Sequence, residues 1–209
     1  MIRLENVSKK VGDEWVLKSI HLSLEENKIY GFQGRNGSGK TMLFRAMTGL
    51  ISLDEGKICF GEQIVDGTRP LKEVGLLLEN PAFISDMSGW DNLKLLSFLK
   101  KNVEDEEIDR ILEEVGLENT KHKAYGKYSL GMKQRLGIAA SLIGKPKYIF
   151  LDEPTNALDE EGIEILKKIL KKRKEKGVTI FIASHDPLLL AILADQIIRM
   201  NKGEIIQNN

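Results

Sequence analysis

The segment Gly34-Arg-Asn-Gly-Ser-Gly-Lys40-Thr41 narrows the possible folds more than any other. Its glycine spacing, closed by Lys-Thr, suits a loop whose backbone N–H groups turn inward around phosphate oxygens. Such a loop works where a strand ends and a helix begins. Here the apolar run "KIYGFQG" precedes it and "KTMLFRAMTGL" follows, with Gly49 marking the helix end. Gly34, Arg35, Asn36, Gly37, Ser38 and Gly39 are the expected cradle. Lys40 would supply a point charge to the β and γ phosphates, and the Thr41 hydroxyl a ligand for Mg²⁺.

A strand feeding a helix through a tight loop calls for a parallel sheet with helices on its faces. The rest of the chain supplies one. "VGLLLE" (74–79), "KYIFLD" (147–152), "VTIFIAS" (178–184) and "QIIRM" (196–200) read as strands, and "IRLENV", "SIHLSL" and "GKICF" as further strands near the N-terminus. Asn201-Lys202-Gly203 reads as a turn into a short last strand. Between 82 and 146 the period changes to 3.6, and "DNLKLLSFLK", "VEDEEIDRILEEVG" and "GMKQRLGIAASLIG" read as helices. The expected organisation is one domain over 1–209, with a core of 1–81 and 147–209 and a helical subdomain of 82–146 inserted between two strands.

Charge excludes some partners. The 31 basic and 31 acidic residues give a formal net charge of zero, against a protein whose main partner is the nucleic-acid backbone. The basic run 167–177 keeps Ile169 and Leu170 for a buried stripe and reads as a solvated outer face. The acidic run Glu104–Glu107 reads as a solvated first helical turn. The single cysteine, Cys59, cannot form an internal disulfide, and a reducing, cytosolic setting fits it best. The start, "MIRLENVSKK", lacks the apolar core of a signal peptide. No run of about 18 apolar residues exists that would span a bilayer.

Two further strands end in chemistry. Asp152 and Glu153 stand at the carboxyl end of "KYIFLDEP", where open parallel sheets hold their ligands. Asp152 suits Mg²⁺, directly or through water, and Glu153 suits a general base on an attacking water. His185, just past "VTIFIAS", could meet the γ-phosphate or that water; a lone histidine in such a place is more often structural. A second anion site follows from "YSLGMKQRLGIAASL" (128–142), in which Ser129 caps an apolar helix. Alone it would be an N-capped core helix, and one small protein has no evident use for two phosphate-binding helix starts.

Together these residues resemble the ATP-binding cassette (ABC) ATPases. The motifs come in that family's order: Walker A at 34–41, signature at 128–132, Walker B at 148–153, the D-loop "NALD" at 156–159 and the switch His185. The resemblance implies a P-loop NTPase (RecA-like) α/β fold, with a mostly parallel sheet, an N-terminal antiparallel β subdomain and an inserted helical subdomain. It implies ATP and Mg²⁺ as cofactors and Mg-dependent hydrolysis to ADP and phosphate. It also implies two cassettes paired head to tail, with Ser129 and Gly131 capping the γ-phosphate on the partner's Walker A loop and Asp159 at the same nucleotide. The further partner would be a membrane-spanning permease, holding this chain at the cytoplasmic face of the membrane. No nucleic acid is expected.

Three departures from the family pattern stand out. No aromatic lies near Val11 or Gly12 to stack on adenine, so either Trp15 substitutes or the base is held weakly. Glu79 stands where the family commonly has glutamine, and is expected to act on the metal side. The signature reads Tyr-Ser-Leu-Gly-Met, with Leu130 in place of a glycine and Met132 in place of a polar residue. "YSLGMKQR" and "ENPAFISDMSGWDNL" are similar to exporters that protect bacteria from peptide antibiotics and other drugs. Phe83, Met87 and Trp90 lie where the family docks its membrane subunit, although packing within the helical subdomain suits each as well. A soluble cassette acting on ribosomes or DNA, and a nucleotide-gated switch with little hydrolysis, are the other readings.

Overall fold

The computed structural model describes residues 1–78, 82–100 and 102–206. Two sheets share one core. The N-terminal sheet is antiparallel: β1 (Ile2–Val11), β2 (Glu14–Leu24), β4 (Glu55–Phe60) and β5 (Gln63–Val65) lie in the order β2-β1-β4-β5. The second is built on β3 (Ile29–Gln33), β6 (Val74–Leu77), β7 (Tyr148–Asp152), β8 (Thr179–Ser184), β9 (Gln196–Asn201) and β10 (Glu204–Ile206), in the order β10-β9-β3-β8-β7-β6. All its pairings are parallel except the final β9–β10 hairpin.

The period of two along the central strands sorts side chains onto two faces. Tyr148 and Phe150 of β7, with Phe181 of β8, point towards the antiparallel sheet and pack with Phe32, Phe44 and Phe60. Phe150 and Phe181 stack at 4.3 Å between centroids. The alternate residues Ile149, Leu151, Ile180 and Ile182 face the helices instead. Burial on both faces explains why these strands read as continuous apolar runs.

Six helices complete the described residues: α1 (Lys40–Thr48), α2 (Gly89–Ser97), α3 (Asp105–Glu114), α4 (Leu130–Leu142), α5 (Glu160–Glu175) and α6 (Pro187–Leu193). The stretch between β6 and β7 holds α2, α3, α4 and two short 3₁₀ turns, with no named strand among its described residues. Ile169 and Leu170 of α5 are buried as expected.

Several readings need correction. The strand expected at 74–79 ends at Leu77 in β6, and Glu79 lies outside the described residues. The short β5 and helix α6 were not anticipated. The acidic run is not wholly solvated: Glu107 is buried and accepts a hydrogen bond from the Gly144 N–H at 2.9 Å, which ties α3 to the end of α4. The basic run is not wholly free either, since Lys172 and Arg173 both pair with Glu114 of α3. Phe83 and Trp90 pack inward. Phe83 meets the Tyr125 ring edge-on at 5.2 Å, and the Trp90 indole N–H donates to Asp109 at 3.1 Å. Exposed apolar side chains of this layer include Ile84, Leu95, Phe98, Leu99 and Leu130.

Candidate nucleotide site

The loop leaving β3 enters α1 through Gly39, whose φ of 102° an L side chain rarely adopts. A Cβ there would stand 2.9 Å from the Val16 carbonyl, so β2 presses directly on the loop. Gly39 brings no side-chain cap, which leaves the first-turn N–H groups of α1 to an outside acceptor. The loop is braced from the far end of the sequence as well. Gly203, in the β9–β10 turn, donates its N–H to the Ser38 carbonyl at 3.0 Å and accepts from the Lys18 N–H at 2.9 Å.

Lys40 is buried, and its ammonium donates back to the Gly34 carbonyl at 2.6 Å and to the Arg35 carbonyl at 3.3 Å. Glu153 Oε1 lies 3.9 Å from the same nitrogen. Asp152 is buried at the end of β7, and its carboxylate accepts a hydrogen bond from the Thr41 hydroxyl. Beside them the buried Ser38 hydroxyl has no hydrogen-bond partner among the described residues. A group that costly to leave unpaired suits a loop built for a ligand with many acceptor oxygens.

Glu153 follows Asp152 with a φ of 48°, uncommon for a side-chain-bearing residue. The turn swings its carboxylate towards the end of β8. There it accepts from the His185 backbone N–H at 3.0 Å and from the Ser184 hydroxyl at 3.2 Å, and lies 3.0 Å from His185 Nδ1. The expected histidine is therefore at the site, with its ring held by the carboxylate in this conformation. Ser38, Lys40, Thr41, Asp152 and Glu153 border a cleft of about 750 Å³ that also takes in Trp15, Gln134, Asn156 and Lys202, while His185 borders a neighbouring hollow. Trp15 lines it from β2, with Lys10 Nζ 4.5 Å from the ring centroid, while Val11 is exposed and does not line it. Gly34 and Arg35 border a second hollow beside His185 and Arg199.

Nearly the whole chain matches known cassettes. The profile of the ABC transporter family matches residues 17–156. This chain belongs to the ABC transporter family. An uncharacterised ABC transporter ATP-binding protein of Bacillus subtilis (strain 168), YybJ, is 43% identical over 206 residues, covering 98% of this chain and 94% of its own. The bacitracin transport ATP-binding protein BcrA of Enterococcus faecalis is 39% identical, covering 99% of this chain and 68% of its own. Among solved structures, the dimeric post-hydrolysis state of the ATP-binding cassette MJ0796, bound to ADP and Pi, superposes with a TM-score of 0.89. Its identity is 25%, with coverage of 100% of this chain and 98% of that one.

In this ABC ATPase the signature residues stand apart from the cleft. Ser129 caps α4, its hydroxyl accepting from the Met132 N–H at 3.2 Å, but neither Ser129 nor Gly131 lines the site of its own chain. Asp159 caps α5 by accepting from the Gly162 N–H at 2.9 Å and pairs with Arg135 at the same distance. The Gly162 donation and then Arg135 hold its carboxyl below the usual carboxylate range.

Ser184, Gln134 and Gly203 were missed from sequence. Ser184 could have been found, since it ends the strand that delivers His185. Gln134 is a buried polar residue on an apolar helix, a weaker signal. Gly203 carried only the signal of a turn, with nothing to link it to the loop at 34–41.

Proposed function

We propose that this chain is the ATP-hydrolysing subunit of an exporter in which two cassettes pair head to tail and drive a separate membrane permease. The observation that carries it is the meeting of Lys40, Thr41, Asp152 and Glu153 at one cleft, with His185 held against Glu153, from three separate parts of the sequence. Residues 34–41 hold the triphosphate, with Lys40 exchanging its two loop carbonyls for phosphate oxygens. Thr41 and Asp152 are the protein ligands for Mg²⁺, with Glu79 as a further candidate on that side. Among the described residues no group of three or more His, Cys, Asp or Glu could hold a metal unaided. A hydroxyl and one carboxylate in contact fit an ion that takes its other oxygens from phosphate and water.

Glu153 takes a proton from water as the water oxygen bonds to the γ-phosphorus and the bond to the β-phosphate oxygen breaks. Bound Mg²⁺ would supply charge stabilisation on the phosphoryl oxygens. For this, His185 leaves Glu153 and turns to the γ-phosphate. Trp15 offers the base an aromatic face. Ser129 and Gly131 cap the partner's nucleotide, with Asp159 at the same interface. That assignment is supported by a helix start that is well formed yet outside its own cleft.

The working unit is one ABC ATPase domain over 1–209, divided at 82–146 as above. Among the described residues no helix is long and apolar enough to cross a membrane, so transport requires the permease, which would place this chain on the cytoplasmic face. The names of BcrA and of the lantibiotic transport protein SrtF of Streptococcus pyogenes, 38% identical, favour an antibiotic peptide or similar drug as cargo. The test is ATP turnover by the purified chain, with mass followed by light scattering and Glu153→Gln as control. Turnover by the wild type with ATP-trapped dimers of the variant supports the reading. No turnover and no dimer from either would overturn it for this chain acting with its own copy.

A further inference from the structure

The signature helix is joined to its own chain's catalytic loop along one face. Gly131, Gln134 and Arg135 stand at i, i+3 and i+4 and so point the same way. A Cβ on Gly131 would meet the Ala157 carbonyl at 2.9 Å. The Gln134 amide, buried on α4, donates to the Pro154 carbonyl at 3.0 Å and the Glu153 carbonyl at 3.3 Å. Arg135 pairs with Asp159 at 2.9 Å and reaches Glu161 at 4.0 Å. The loop they grip contains two side-chain-bearing residues with positive φ, Glu153 at 48° and Ala157 at 62°. Such backbone persists only where its surroundings over-determine it.

We propose that Gln134 is a positioning residue that ties α4 to the catalytic carboxylate of the same chain, so that the phosphate capped at the start of the helix sets Glu153 a little over one turn further along. The inference rests on the reading of Ser129 and Gly131 as caps for a partner's nucleotide. From Ser129 to Gln134 is five residues, about 7.5 Å of helix rise. A regular helix moves as a unit over that distance, so a shift of the capped end reaches the amide undiminished. The amide holds both carbonyls that flank the Glu153–Pro154 junction, where Pro154 has no N–H of its own to anchor the chain. ATP in the partner's site thereby fixes the general base of this one, and each site fires when the other is filled.

The decisive variant is Gln134→Met, which keeps length and volume and removes the donor. Glu153 misplaced by a fraction of an ångström should lower kcat on the order of 10- to 100-fold. KM should move by much less than kcat, because the lost donor serves backbone carbonyls of the loop, although Gln134 also borders the cleft. In the Glu153→Gln background the same change should leave the ATP concentration for dimer trapping, read by light scattering, within about twofold, since capping is untouched. Gln134→Lys, which restores an N–H donor at similar reach, should recover part of the lost kcat and guards against a variant that merely folds poorly. An unchanged kcat in Gln134→Met overturns the inference. So does loss of dimer trapping in step with kcat, which would make Gln134 part of the capping structure. Wild-type protein that neither turns over nor traps would remove the underlying reading, and the inference with it.

Discussion

The two helix starts, α1 and α4, differ in what completes them. α1 begins at a glycine with no side-chain cap, is enclosed by β2, β7 and the β9–β10 turn, and has beside it a buried lysine and a serine hydroxyl with no partner among the described residues. α4 begins at a serine that satisfies one of its own N–H groups, next to a Leu130 side chain that is 73% exposed. On the reading proposed above, the first holds the chain's own nucleotide and the second caps a partner's. Similar local chemistry would then serve different roles because one start is walled by its own chain and the other is not.

The comparison can be broken in order of effect. Replacing Glu153 with Gln removes the base but no phosphate contact, so kcat should fall by about 10²- to 10⁴-fold with nucleotide affinity kept. A comparable loss of affinity in nucleotide titrations would mean that the carboxylate belongs to binding. Lys40→Met should weaken ATP binding by roughly 10- to 150-fold, the worth of a hydrogen bond to a charged group, in a fluorescent-nucleotide titration of the monomer. Ser129→Ala should do nothing to that titration and should abolish or sharply reduce ATP-trapped dimers. It should also cost about 1 kcal/mol in urea unfolding, through the lost cap. If it weakened monomer binding as Lys40→Met does, the distinction between the two starts would collapse.

The smallest effect lies far from both starts, where α3 meets α5. Burial pushes the Glu114 carboxyl up, but Lys172 and Arg173 together outweigh it and hold it below the usual range. A carboxylate lowered in the folded state stabilises above its unfolded pKa of about 4.3 and loses that contribution as the pH falls through the folded value. Glu114→Gln should therefore cost about 1 kcal/mol at pH 7 by denaturant titration, and progressively less as the pH falls below about 4.3. ATP binding by α1 should be unchanged.

How much was legible follows from how local each cause is. β3, β7 and β8 could be read because strands buried on both faces write unbroken apolar runs, and α1 because the phosphate loop dictates a helix after it. Lys40, Thr41, Asp152, Glu153 and His185 were legible because each stands where a readable strand or loop ends. The burial of Glu107 was not, since its partner Gly144 lies 37 residues away. Gln134 looked like any polar residue in a basic opening turn until the fold set its amide against carbonyls 19 and 20 residues on. β5 and α6, 3 and 7 residues long, are too short to write a period.

The backbone bonds of Gly203 have a consequence for the making of the protein. Residues 34–41 leave the ribosome early, but the β9–β10 turn that carries Gly203 leaves about 160 residues later, and domains settle as units. Until then the Ser38 carbonyl lacks the N–H that holds it and the Lys18 N–H lacks its acceptor. A chain stopped before the β9–β10 turn should therefore bind nucleotide more weakly than the whole chain, although it carries the entire phosphate loop.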